Sequence, residues 1–202
     1  MSVISGFTHS CDTERLQITN SIRSINDYFD DRKILADIWE FYVTKTPSML
    51  SSQSIEFEYF GWRNTVSKTD GYGALEKLLY SYISADFKLL YVRAKSISDS
   101  LKEVGLSGNI LCVDHPRGVL MQNFSYSHKE NETVKVESSE SKVNCLFRHI
   151  RNSLAHGNTY LFDNGNILLE DKDKSKITAR IIIPIVALHK WMIVVKEGPP
   201  NK

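Results

Sequence analysis

Between Ser141 and Gly157 the apolar residues Val143, Leu146, Phe147, Ile150 and Leu154 fall at the i, i+3, i+4, i+7, i+11 spacing of an amphipathic helix, with glycine at its end. This segment constrains the fold most, because a one-faced helix must lay its stripe on another apolar surface. It also carries an unusual polar cargo. At about 100° per residue, Arg148, His149, Asn152 and His156 lie opposite the stripe, and Arg151 lies at its border beside Phe147. Asn152 and His156 are one turn apart and within reach of each other. Arg151 and His156 diverge by about 140° in a regular helix. Two arrangements would bring them to one ligand: the helix unwinds near Gly157, or two copies of it face each other across a cleft. The second requires a homodimer.

Other apolar repeats predict more helices. Ile18, Ile22, Ile25 and Phe29 give one over 13–30, and Leu35, Ile38, Trp39 and Tyr42 give a second that stops before Pro47, the two forming a helical hairpin. Leu75, Leu79, Ile83, Phe87, Leu90, Ala94, Ile97, Leu101 and Val104 predict one long helix over 73–104, closed by Gly105. Phe57, Tyr59, Phe60 and Trp62 read as a loop or short helix packed on this bundle rather than a base-stacking platform. Residues 109–113 and 119–126 read as short strands, and the polar stretch 127–140 as a mobile loop able to close over a substrate. Asn164-Gly165 is a hairpin-turn signal, followed by strands over 167–170 and 177–183. Pro184 opens a last helix over 185–196, packed through Ile185, Leu188, Met192 and Val195. The expected fold is mainly α: a helical bundle with a small β-hairpin between the motif helix and the C-terminal helix. It spans 1–202 as a single domain with flexible ends at 1–12 and 197–202.

Composition narrows the function. At 202 residues and 42% hydrophobic, the chain can bury a core without disulfides. No stretch approaches the roughly 20 apolar residues of a membrane span, and 1–13 lacks the basic start and apolar run of an export signal. Cys11, Cys112 and Cys145 are odd in number and far apart, which fits a reducing compartment and a cytoplasmic location. A net charge of +1 excludes a global polycation, so any nucleic-acid contact must be local. Arg148, Arg151, Lys142, Arg180 and Lys190 are the cations that could build such a patch, Lys142 and Lys190 fitting a solvated face equally well.

Other chemistries are poorly supported. Cys112-x-x-His115 has metal-ligand spacing but no second pair, and no metal site is expected. Cys145 and His149, one turn apart, could form a thiolate pair for a cysteine hydrolase, yet nothing supplies an orienting acid or oxyanion donors, and a buried inert thiol is the expectation. Gly71-Tyr72-Gly73 lacks the preceding strand and third glycine of a nucleotide loop. Asp163, Glu170, Asp171 and Asp173 line the hairpin and read as solvated carboxylates.

The arrangement Arg151-Asn152-x3-His156 at a helix end in a mostly helical chain resembles the signature of the HEPN superfamily, an Arg followed after four to six residues by His. Asp163 to Asn166, Thr178 to Ile181 and Leu188 to Trp191 further resemble a plasmid- and prophage-associated branch, so the likeness covers about 142–195. It implies a HEPN-like bundle and a metal-independent RNA endonuclease of the defence or toxin kind, or a non-catalytic RNA-binding or protein-interaction module. It also implies RNA, a second copy of the chain and an antitoxin or defence-system component as partners, and no cofactor. The tyrosine that some HEPN toxins carry two residues after the His is Asn158 here, with Tyr160 two further on.

Those residue types suit the chemistry. Cutting RNA without metal needs a base for the 2′-hydroxyl proton, a cation for the charge growing on the phosphoryl oxygens and an acid for the departing 5′-oxygen. Imidazole, with an ordinary pKa of about 6.5, can serve as base or acid. Guanidinium stays charged and forks onto two phosphate oxygens. Arg151 and His156 are therefore the expected catalytic pair and Asn152 their support, with Arg148, His149, Lys142 and Arg180 as expected RNA contacts. The alternative is a helix end whose polar tip caps its own carbonyls, with His156 favoured by the helix dipole.

Overall fold

The computed structural model describes residues 32–46, 55–64, 72–83, 88–91, 110–114, 124–125, 133–134, 140–161, 165–174 and 176–200. The expected helix over 13–30 lies outside these residues, so the helical hairpin built on it does too. Its expected partner is present: α1 (Arg32–Trp39) runs directly into a π-helical turn (Glu40–Thr44) ahead of Pro47. A 3-10 turn (Phe57–Phe60) follows, with Phe57 and Trp62 fully buried and Tyr59 exposed. Phe57 and Trp62 pack on the bundle, as expected of a short helix there, while Tyr59 does not.

The long helix expected over 73–104 is not formed. Instead α2 (Tyr72–Ser81) stops early and β1 (Lys88–Tyr91) is a strand. At the stop, Ser81 Oγ donates to the Leu78 carbonyl at 2.7 Å, and the Tyr82 and Ile83 amides bond back three residues to Leu79 and Tyr80. The apolar run Leu89-Leu90 fits a helix stripe or a buried strand, and the parallel ladder of Lys88–Tyr91 with β2 (Ile110–Val113) decides for the strand.

Beyond a two-residue ladder of β3 (Phe124–Ser125) with β4 (Thr133–Val134), the chain enters α3 (Lys142–Ala155), the motif helix. Apart from this ladder and Glu140, the strand expected over 119–126 and the loop expected over 127–140 lie outside the described residues. Then come β5 (Thr159–Leu161), β6 (Asn166–Asp173), β7 (Lys176–Pro184) and α4 (Ile185–Glu197). The fold is mainly helical, and the expected hairpin stands between motif helix and C-terminal helix as β6 and β7. It is larger than the sequence suggests. β5 joins one side and β2 the other, giving a sheet in the order β1-β2-β7-β6-β5, antiparallel except for β1 with β2. Strands β5 and β6 pair across the segment holding Asn164-Gly165, and Gly165 takes the left-handed φ of 80° that this turn signal anticipates.

Alternation sorts the sheet into two faces. Leu111, Val113, Ile167, Leu169, Ala179, Ile181 and Ile183 join the core that holds Leu146, Phe147, Ile150 and Leu154 of α3. Phe147 sits at its centre, stacked on Tyr42 with ring centroids 5.7 Å apart and edge-on to Phe57 at 5.2 Å. Polar tips tie the outer helices down. Tyr42 Oη donates to the Leu188 carbonyl, Trp62 Nε1 to that of Val195 and Trp191 Nε1 to that of Leu79. Among the described residues, no helix is long and apolar enough to cross a membrane.

Candidate functional site

Ser141 caps α3, its Oγ accepting the Asn144 amide at 3.0 Å. The helix ends at Ala155, and His156 follows in the cap with φ −94° and ψ 0°. Gly157 then turns left-handed at φ 68°, which is the stop its position predicts. The Asn158 amide returns to the Ser153 carbonyl, and the Asn158 carbonyl accepts the Glu170 amide, both at 2.9 Å, so the motif end is pinned to β6.

The face expected to carry the RNA contacts Arg148 and His149 is instead largely enclosed. Arg148 and His149 are buried, 3% and 0% exposed. Arg148 forks onto Glu140, Nε to Oε1 at 2.6 Å and Nη2 to Oε2 at 3.1 Å, and its Nη2 also lies 3.5 Å from Asp114 Oδ1 and from Cys145 Sγ. His149 is held between two carboxylates, Nε2 at 2.5 Å from Asp114 Oδ1 and Nδ1 at 2.7 Å from Asp171 Oδ2. The reason is topological. The helix lies on the sheet, so its second face meets the ends of β2 and β6, and buried cations there require counter-charges.

Burial alone would lower the His149 pKa, but the hydrogen bonds to Asp114 and Asp171 outweigh it and raise it above the ordinary value. Burial likewise pushes Asp114 up, and the opposing His149 and Arg148 hold its carboxyl below the usual range. Burial drives the Cys145 thiol far up, with Arg148 only partly opposing it. Cys145 and Cys112 are both free and buried, as expected of inert thiols, and Cys112 is pushed up to about 12 by burial. His115 and Cys11 lie outside the described residues.

Potential ligand atoms of Asp114, Cys145 and His149 all lie within 4.8 Å of one another, close enough to share a cation. Charge argues against that use. The Arg148 guanidinium already stands against both Asp114 and the sulfur, the thiol is held protonated, and both imidazole nitrogens are engaged by carboxylates.

A polar chain leads from this cluster to the motif. Asp171 Oδ2 also accepts Asn152 Nδ2 at 3.1 Å, and Asn152 Oδ1 accepts Arg151 Nη1 at 3.1 Å. Arg151 is half-buried, and its Nε is buried with no hydrogen-bond partner. Among the described residues, no carboxylate pairs with Arg151, whereas Arg148 and Arg180 both have one. His156, five residues further on and past the last helical residue, is exposed.

The remaining expected RNA contacts lie elsewhere. Lys142 is exposed in the first turn of α3, about 20 Å along the axis from His156. Arg180 alternates out of the α3-facing set of β7 and is 1% exposed, its Nε donating to the cross-strand Glu170 at 2.7 Å while Lys172 Nζ meets the other oxygen. Glu170 and Asp171 are thus buried ion-pair partners and not the solvated hairpin carboxylates their setting suggests.

Sequence reasoning gave Asp114 and Glu140 no part in the site and read Asp171 as a solvated carboxylate. The signal was present in α3 itself, since an arginine and a histidine on a helix hemmed in by sheet-forming sequence demand acids from somewhere. Asp171 reaches the helix by alternation, on the same face of β6 as Ile167 and Leu169 and opposite Ala179, and a register shift follows it. Asp171 pairs with Ala179 and Lys172 with Ile177, leaving Thr178 as an extra residue on β7, and the Thr178 carbonyl accepts the Asp114 amide at 2.9 Å.

No curated protein and no solved structure matches the chain. A family model described as HEPN pEK499 p136 matches residues 72–197, which takes in α2, the whole sheet, the motif helix and α4. Matched over more than half its length, with the Arg-x4-His arrangement at the end of a helix laid on that sheet, the chain belongs to the HEPN family, in its plasmid-associated branch.

Proposed function

We propose that this HEPN protein is a metal-independent RNA endonuclease of the toxin or defence type. Arg151 and His156 are the catalytic residues, Asn152 supports them, and two copies of the chain form the cleft. The observation that carries the reading is the contrast between the arginines. Arg148 and Arg180 are buried against carboxylates, while Arg151 is half-buried, its buried Nε lacks a partner and, among the described residues, no carboxylate pairs with it. A guanidinium left with donors to spare at the surface end of a rigid helix suits a phosphate.

His156, exposed in the cap, takes the 2′-hydroxyl proton, and Arg151 holds the charge that grows on the phosphoryl oxygens. The 2′-oxygen bonds to phosphorus as the 5′-oxygen leaves with a proton from the second subunit's imidazole. The products are a 2′,3′-cyclic phosphate and a 5′-hydroxyl. In this reading Arg148, His149 and Arg180 hold the frame of the site and do not touch RNA, and Lys142 lies too far along the helix to join the cleavage site.

The test is incubation of purified protein with end-labelled single-stranded RNA in excess EDTA. Fragments ending in cyclic phosphate are expected, lost in His156→Ala with an unchanged melting temperature. Undiminished cleavage by His156→Ala would overturn the assignment. Retention of RNA that weakens in Arg151→Ala, with no fragments from any protein, would mark a binding module instead.

A further inference from the structure

We infer that Asp171, which lies outside the Arg-x4-His segment, is a positioning residue that fixes the Arg151 guanidinium through Asn152, with His149 holding Asp171 in turn. The inference rests on the proposed role of Arg151 and adds to it a dependence on one strand register. Asp171 Oδ1 accepts the Lys172 amide at 2.9 Å, while Oδ2 accepts both His149 Nδ1 at 2.7 Å and Asn152 Nδ2 at 3.1 Å. Both oxygens are therefore acceptors only, as an ionised carboxylate provides.

That polarity propagates. Because Asp171 can only accept, the Asn152 amide must turn its NH2 inward and its oxygen outward, and the oxygen is what receives Arg151 Nη1 at 3.1 Å. The order of donors and acceptors is set from the interior: imidazolium to carboxylate, amide to carboxylate, guanidinium to amide oxygen. Arg151 keeps its remaining donors for a ligand, and its bond to Asn152 Oδ1 orients the fork.

The variant Asp171→Asn cannot reproduce this pattern. With the oxygen of the new amide toward the Lys172 N–H, its NH2 faces the NH2 of Asn152. Asn152 must then flip, and its NH2 is turned on the guanidinium. In the opposite orientation the new NH2 meets the Lys172 N–H instead, again donor against donor. Moving the charge repairs the conflict. In Asp171→Asn with Asn152→Asp, the new amide donates to the new carboxylate and to a neutral His149 Nδ1, and the carboxylate accepts Arg151.

The experiment compares wild type, Asp171→Asn, Asn152→Asp and the Asp171→Asn, Asn152→Asp pair by two readouts. The first is the side-chain 15N–1H resonance of Arg151 Nε–H, recorded without RNA. It is expected to shift and broaden in Asp171→Asn and to return toward its wild-type position in the pair. The second is steady-state cleavage of a fluorescent single-stranded RNA oligonucleotide. Here kcat is expected to fall about 100-fold in Asp171→Asn, with KM changed little, and to recover by at least about tenfold in the pair. Melting temperatures of all four proteins accompany both, so that a fall in kcat in protein that stays folded at the assay temperature is told apart from one that follows unfolding. An Arg151 resonance that ignores Asp171→Asn overturns the inference. A resonance that moves and recovers in a protein that cleaves nothing upholds the positioning and refutes the nuclease reading.

Discussion

Replacing His149 with leucine tests whether the cluster under the motif is an ionic unit. The substitution keeps an apolar body of similar bulk but removes the cation between Asp114 and Asp171, which lie 2.5 and 2.7 Å from its two nitrogens. Two charge-assisted hydrogen bonds at about 1.5–3 kcal/mol each give a gross loss of about 3–6 kcal/mol. Burying leucine and no longer desolvating an imidazolium offset part of it, leaving about 3 kcal/mol, at the low end of what breaking a buried ionic contact costs. In a chain of 202 residues that corresponds to a melting point lower by about 6–12 °C.

The pH dependence makes the prediction specific to charge. The folded pKa of His149 is raised, so its contribution is complete below the unfolded value of about 6.5 and is lost as pH rises through the folded value. Asp114 is lowered, so its contribution is present above its unfolded value of about 3.9 and is lost as pH falls through the folded one. The groups that set this balance are Arg148, Cys145 and Asn152 from α3, Asp114 after β2, Asp171 from β6, and Glu140 through Arg148. Urea unfolding of wild type and His149→Leu across a pH series from 5 upward should show a gap widest near pH 6 and shrinking as pH rises through the folded value, where the wild type gives up its proton. A gap below about 1 kcal/mol at pH 6, or one that does not change with pH, would refute the account of an imidazolium clamped between carboxylates.

Two further outcomes follow from the same geometry. Gly157→Ala should lower stability by about 1 kcal/mol in thermal unfolding, because φ is 68° although nothing stands within 4 Å of the added Cβ; an unchanged melting point would mean the turn adapts freely. Cys112 and Cys145 should resist iodoacetamide at pH 8 in the folded protein and react once it is unfolded in urea, since burial drives both thiols up; rapid labelling of either in native protein would refute their enclosure.

The helices that could be read from the sequence are those with one unambiguous stripe and a marked end. α3 runs from a serine cap to a left-handed glycine, and α4 begins after Pro184 with Ile185, Leu188, Met192 and Val195 buried. The extension of α2 failed for a definable reason. Residues 88–91 carry adjacent leucines that fit two periodicities, and only a partner strand more than twenty residues later, Ile110–Val113, selects one. Strand partners at that distance leave no local trace, so the hairpin and the strand over 109–113 could be read, but not that they join β1 and β5 in one sheet.

The site divides along the same line. Arg151, Asn152 and His156 could be picked out because their spacing is local to one helix. Asp114 and Asp171 could not, since they reach His149 from separate parts of the sheet, Asp171 by its alternation on β6 and Asp114 from the end of β2, where its amide meets the Thr178 carbonyl. Slipping β6 by one residue against β7 would turn Asp171, with Ile167 and Leu169, to the far face, where Glu170 now meets Arg180, and would leave His149 with Asp114 alone. The loss would pass outward, because Asn152 would no longer have an acceptor to fix its amide and Arg151 no oriented oxygen to bind. A short motif of this kind is therefore only the visible end of the site. Its arginine is aimed by a carboxylate on the neighbouring sheet, and a sequence that keeps Arg151 and His156 but loses that carboxylate should keep the fold and lose the aim.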